Sequence, residues 1–226
     1  MPKLIVFASG TKGGGGSGFE NLVTSKELDA NIVAVVSNHE HGGVRERAER
    51  LGIPFIYFLP RQSSGQAGLD DAAEYRRVVA DSGAEWVALS GWLKKVEGLD
   101  PRKTINIHPA LLSQLDPSTS LRASRFGGKG MYGHHIHEAV KAAFDAGEIT
   151  ESGFSMHFVT DELDRGPVFF EHRVPLKRGM SIEEIETAVK KAEHEWQPKI
   201  TNVVVHGEIH WDGKDPKTLV VPHDLK

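Results

Sequence analysis

Apolar and polar positions alternate along this chain in two rhythms. Lys3 to Ala8 is a continuous apolar run stopped by Ser9-Gly10, the pattern of a strand buried on both faces. Phe19, Leu22, Val23 and Leu28 recur at helical intervals and predict a helix from Phe19 to Leu28. Asn31 to Ser37 and Pro54 to Phe58 predict strands, with a charged amphipathic helix from Val44 to Leu51 between them. Asp70 to Ser82 predicts a further helix, Glu85 to Ser90 a fourth strand and Lys103 to Ile107 a fifth. Strands alternating with helices imply an α/β chain: a mostly parallel central sheet, helices on both faces, and ligand loops at the carboxyl ends of the strands.

The second half changes rhythm. Leu112 to Lys129 is rich in Ser, Gly and polar residues and predicts a long loop. Tyr132 to Ala146 predicts a helix; Gly153 to Val159 and Pro167 to Val174 predict strands joined by an acidic turn. Ser181 followed by Glu183 and Glu184 suits a capped helix start, and Ile182, Ile185, Val189, Ala192, Trp196 and Ile200 keep one apolar face beyond it. Glu208 to Trp211 and Thr218 to Val221 predict a small terminal hairpin around Asp212-Gly213.

Composition narrows the chemistry. A chain of 226 residues without a linker or repeat reads as one domain. It holds no Cys, which excludes disulfides, thiolate zinc sites and cysteine nucleophiles. A net charge of −4 opposes a nucleic-acid partner but leaves small anions open. No apolar run approaches the roughly 20 residues that span a bilayer, and the opening residues read as a strand rather than a signal peptide. A cytoplasmic protein without a membrane partner is expected. Six of its 24 glycines fall within the first 18 residues.

That glycine loop, Ser9 to Gly18, joins the first strand to the first helix, where backbone N–H groups form an anion site without basic side chains. Gly-x-Gly-x-x-Gly can be drawn through Gly13, Gly15 and Gly18, but a dinucleotide fold also wants an acid at the end of the second strand, and Asn38 stands there. No Gly-Lys-Ser/Thr triplet follows, so a Walker-type site is unsupported. Phosphate binding is favoured over a plain surface turn. Along Thr104 to His108, alternation puts Asn106 and His108 on one face. An Asn amide can donate to a developing oxyanion and a His can move a proton near neutral pH, yet a polar strand end fits the same pattern. The turn after the sixth strand offers Asp161, Glu162 and Asp164; a carboxylate against His108 would favour the imidazolium, and spacing does not choose which. His134, His135 and His137 lack recognised metal spacing, and no metal is expected.

Taken in order, these segments resemble a family. Ser9 to Leu22, Asn106-Ile107-His108-Pro109-Ala110-Leu111-Leu112, Phe126 to His137, and His157 to Pro167 look like the folate-dependent formyltransferases; Gly128-Lys129-Gly130-Met131-Tyr132-Gly133-His134-His135 narrows the resemblance to the phosphoribosylglycinamide formyltransferase branch. The resemblance runs from Lys3 to about Trp211. It implies a single-domain, Rossmann-like formyltransferase fold, with residues 1–112 as the nucleotide and phosphate half and 113–226 as the folate and C-terminal half. It implies formyl transfer from the co-substrate 10-formyltetrahydrofolate to the amine of glycinamide ribonucleotide, in purine synthesis. By the same resemblance, Asn106 and His108 stabilise the oxyanion and Asp164 keeps His108 protonated. Gly16, Ser17, Gly18, Pro109 and Glu193 bind the nucleotide substrate. Leu93, Lys94, Lys95, Val96, Thr160, Asp161, Glu162 and Leu163 line the folate pocket. Monomer and homodimer both remain open.

The physics agrees: amine attack on a formyl carbon creates O⁻ and N⁺ together and needs an oxyanion donor and a proton path, not a metal or covalent nucleophile. The chain departs from the pattern in its long loop from Ser113 to Arg125, in Ser113 where Pro is common, and in Lys94 where Arg is frequent. A formyltetrahydrofolate hydrolase, a formyltransferase with another amine acceptor, and a non-catalytic nucleotide-binding module are the rival readings.

Overall fold

A computed structural model describes residues 1–11, 14–60, 71–115, 124–128 and 130–225. Seven strands form one sheet in the order β3-β2-β1-β4-β5-β6-β7. They are β1 (Lys3–Phe7), β2 (Asn31–Ser37), β3 (Phe55–Tyr57), β4 (Trp86–Ser90), β5 (Thr104–His108), β6 (Glu151–Phe158) and β7 (Val168–Pro175). β3 through β5 pair in parallel, and β6 and β7 add an antiparallel edge. The helices are α1 (Ser17–Thr24), α2 (Gly43–Leu51), α3 (Asp71–Ser82), α4 (His134–Asp145) and α5 (Ile182–Val205).

The continuous apolar strands bury both faces, as their sequence implies. Leu4 and Val6 of β1 join a core with Phe19 of α1, Val44 of α2, Val140 of α4 and Val189 of α5. Ile5 and Phe7, pointing the other way, pack with Tyr75 and Val78 of α3. Helices therefore cover both faces, α3 alone on one of them among the described helices. No helix among the described residues is long and apolar enough to cross a membrane.

Two expectations are corrected, and a third, the capped start of the last long helix, is met. α1 begins at Ser17, not Phe19, because Gly16 takes a left-handed turn (φ 79°) as its N-cap, and the helix ends at Thr24. The terminal hairpin is reduced to a single bridge between His210 and Val220 around a 3₁₀ turn at Pro216–Thr218, whose proline donates to no ladder. α5 continues through Pro198 to Val205 and opens with a full capping box between Ser181 and Glu184. The predicted helix start Asp70, the glycine-loop residues Lys12 and Gly13, Lys129 and residues 116–123 of the polar loop lie outside the described residues; the described parts of the loop meet at a Leu115–Ser124 bridge.

Candidate active site

The strand order reverses at β1, which lies between β2 and β4, so a crevice opens beyond the carboxyl ends of β1 and β4. The glycine loop enters it there. A Cβ on Gly15 would stand 2.5 Å from the Gly10 Cα, and one on Gly43 would stand 2.6 Å from the Gly14 carbonyl carbon. Gly10, Gly15, Gly16 and Gly43 are thus packing requirements: the loop folds back on itself and lies against the start of α2. Gly16 has no side chain to cap α1, so the first N–H groups of that helix stay open at the cleft wall.

The cleft has a volume of about 450 Å³, and Gly16, Ser17, Gly18, Asn106, His108, Pro109, Asp164 and Glu193 all line it. β5 delivers Asn106 and His108 from one strand face, and register places Asn106 opposite His157 of β6. The Asn106 amide Nδ2 lies 3.0 Å from His157 Nε2, while His157 Nδ1 donates to the Phe158 carbonyl at 2.8 Å. A proton on Nδ1 leaves Nε2 as acceptor, so Asn106 donates one N–H to His157 and keeps the second for a ligand. His108 Nε2 donates to the Phe126 carbonyl at 2.6 Å, and its Nδ1 stands 3.7 Å from Asp164 Oδ1. Asp164 Oδ2 accepts from the Gly128 N–H at 2.8 Å. Asp164 is also the one non-glycine residue with positive φ (53°) among the described residues, a strained conformation that turns its carboxylate to face both histidines.

Burial pushes the His108 pKa below 6.5, while the Asp164 charge and the Phe126 carbonyl pull the other way. The expected raised value is therefore corrected: His108 is only 4% exposed, and desolvation outweighs its carboxylate partner. For Asp164 burial acts to raise the pKa, but the Gly128 N–H and the positive charge that His157 and His108 carry when protonated together hold it at about 2. Glu193 goes the opposite way: desolvation lifts it to about 7, with Lys190 opposing and Glu186 adding to the rise.

Residues 2–201 match the family model described as Formyl transferase. The chain belongs to the formyl transferase family. It is 31% identical over 216 residues to a protein of Arabidopsis thaliana named phosphoribosylglycinamide formyltransferase, covering 92% of this chain and 67% of that one. It is 30% identical to the Bacillus subtilis protein of the same name, over 88% of this chain and 93% of the relative. In the trifunctional purine biosynthetic protein of Gallus gallus, the 30% identical match is 19% of the whole. Glycinamide ribonucleotide transformylase 1 from Geobacillus kaustophilus superposes with a TM-score of 0.68 at 28% identity, over 91% of this chain and 99% of that one.

In this formyl transferase, Leu93, Lys94, Lys95 and Leu163 line the cleft, but Val96, Thr160, Asp161 and Glu162 do not stand among its wall residues. Val96 is buried in the α3-side core, Asp161 Oδ1 accepts from the Gly98 N–H at 3.4 Å, and the Thr160 hydroxyl closes on the Glu162 carbonyl. The 92–96 segment is held from below: the Tyr75 hydroxyl donates to the Lys95 carbonyl at 2.9 Å and accepts from Trp92 Nε1 at 3.1 Å. Three partners carried no sequence signal of their role. His157 is read from strand register, and the Phe126 carbonyl and Gly128 N–H are backbone groups. Lys190, on the cleft wall, had one, since it precedes Glu193 by three residues on α5 and shares its face. The histidines of α4 have acidic neighbours: His134 Nδ1 lies 3.3 Å from Glu186 of α5, a pairing that sequence spacing hides, and His135 Nδ1 lies 2.9 Å from Glu138, three residues on along the same helix.

Proposed function

We propose that this chain transfers a formyl group from 10-formyltetrahydrofolate to the amine of glycinamide ribonucleotide. The observation that carries the reading is that one cleft joins an uncapped helix start, a carboxyl on α5 and the Asn106–His108–Asp164 cluster. The open N–H groups at Gly16, Ser17 and Gly18, with Lys190 across the cleft, suit the acceptor's phosphate, and Glu193 suits its ribose hydroxyls. Pro109 and the Leu93–Lys95 and Leu163 walls suit the acceptor's reacting end and the folate donor respectively. The proposed phosphate end draws on both halves of the chain, because Glu193 and Lys190 come from α5.

Chemically, the spare Asn106 N–H is placed to donate to the formyl oxygen as it gains charge. Asp164, ionised at neutral pH, and His108 form the proton path. With Nε2–H tied to Phe126, the neutral imidazole turns its Nδ1 lone pair toward a carboxylate, and a proton released by the attacking amine is welcome there. His108 then gives that proton to the departing folate nitrogen, so amine and folate exchange one hydrogen for the formyl group. The test is a spectrophotometric assay of 10-formyl-folate consumption with and without glycinamide ribonucleotide. Consumption that needs the acceptor is expected; consumption independent of it points to a hydrolase, and binding without any consumption to a module.

A further inference from the structure

α1 and α5 meet at a joint that the chemistry above does not use. Pro198 stands inside α5 and has no N–H, so the carbonyl four residues earlier, that of His194, has no helical donor. Asn21 of α1 fills the gap: its Nδ2 donates to the His194 carbonyl at 2.7 Å, between residues 173 apart in sequence. Both ends of this bond lead straight to the cleft. Asn21 is one turn beyond the uncapped Ser17 start of α1, and His194 follows Glu193 on the cleft wall. The same two helices are fitted closely at Gly18, where a Cβ would stand 2.3 Å from Ser90 Oγ and 3.4 Å from Gln197 Oε1; Ser90 Oγ itself donates to Gln197 Oε1 at 3.3 Å.

We infer that Asn21 is a positioning residue for the acceptor: by holding the carbonyl that Pro198 frees, it fixes the spacing between the open N–H groups of α1 and the Glu193 carboxyl. One acceptor molecule with a phosphate at one end and hydroxyls further along spans that distance, whereas the Leu93–Lys95 and Leu163 walls lie outside the joint. The inference rests on the proposed acceptor reading.

Asn21→Leu keeps the volume and removes the donor. Its KM for glycinamide ribonucleotide rises about tenfold while kcat and the donor KM stay within about twofold, the signature of lost ground-state positioning. Asn21→Leu/Pro198→Ala supplies an N–H at position 198 that satisfies the His194 carbonyl within the helix. The double variant recovers the thermal midpoint but not the acceptor KM. A wild-type acceptor KM in Asn21→Leu overturns the inference, and so does recovery of KM together with the midpoint, which would mean that satisfying the carbonyl is all that matters. Wild-type enzyme that fails to turn over the acceptor overturns the functional reading itself, before either variant is compared.

Discussion

His108 Nδ1 stands 3.7 Å from Asp164 Oδ1 while the opposite ring nitrogen is fixed on the Phe126 carbonyl at 2.6 Å. The imidazole is tied at Nε2 and buried, so its charge depends on a balance between desolvation and two opposing groups, the Asp164 carboxylate and the Phe126 carbonyl. Removing the carboxylate's charge leaves only the Phe126 carbonyl against desolvation. Asp164→Asn therefore lowers the His108 pKa further below 6.5, and Asn keeps a residue type that tolerates the positive φ. NMR titration of the imidazole measures this; an unchanged or higher value contradicts it.

How much of this was legible beforehand divides along physical lines. Two-residue alternation places Asn106 and His108 together because it depends only on the pleat. The αβ rhythm likewise carries the sheet and both helical layers. The burial that lowers the His108 pKa is set by loops distant in sequence, and the Phe126 carbonyl that fixes its tautomer belongs to backbone, which side-chain patterns do not encode. Asp164 differs from Asp161 and Glu162 by a left-handed backbone turn, so spacing could not separate the three. The start of α1 was missed because apolar periodicity marks the buried face of a helix, and Gly16, Ser17 and Gly18 carry no apolar group.

His157 holds the Asn106 amide at 3.0 Å and thereby chooses which way its N–H groups point. His157→Phe removes the acceptor and frees the amide to rotate. A kcat fall of about tenfold is expected, smaller than the roughly 10²- to 10³-fold loss from deleting an oxyanion donor outright. Steady-state kinetics of the two variants side by side give the order; a His157→Phe enzyme with unchanged kcat removes the orienting role.

Tyr75 is fully buried, and its hydroxyl links Trp92 Nε1 to the Lys95 carbonyl beneath the cleft wall. Burial, first of all, drives its pKa well above the ordinary 10, so it acts only as a neutral hydrogen-bond relay. Tyr75→Phe leaves both partners unpaired and costs about 1–3 kcal/mol. The folate KM rises while the acceptor KM holds. Denaturant melts and two-substrate kinetics check this, and a rise confined to the acceptor KM contradicts it.

Glu193 has a folded pKa of about 7 against an ordinary 4.5. The folded protein therefore binds more protons than the unfolded chain between these values, and stability falls as pH rises from about 4.5 to 7, then levels. Glu193→Gln removes that slope: above pH 7 the free variant melts higher than wild type, yet its acceptor KM rises. Thermal melts at pH 5 and pH 8 decide the point; a variant less stable than wild type at pH 8 contradicts it.

The proposed formyl transfer takes place at the Asn106–His108–Asp164 cluster. The most direct measurement is acceptor-dependent kcat for wild type, Asn106→Ala and His108→Ala under identical conditions, with circular dichroism establishing the fold of each. Losses of at least about 10²-fold are expected in both variants with wild-type spectra. Near-normal acceptor-dependent turnover in either folded variant would contradict the proposal.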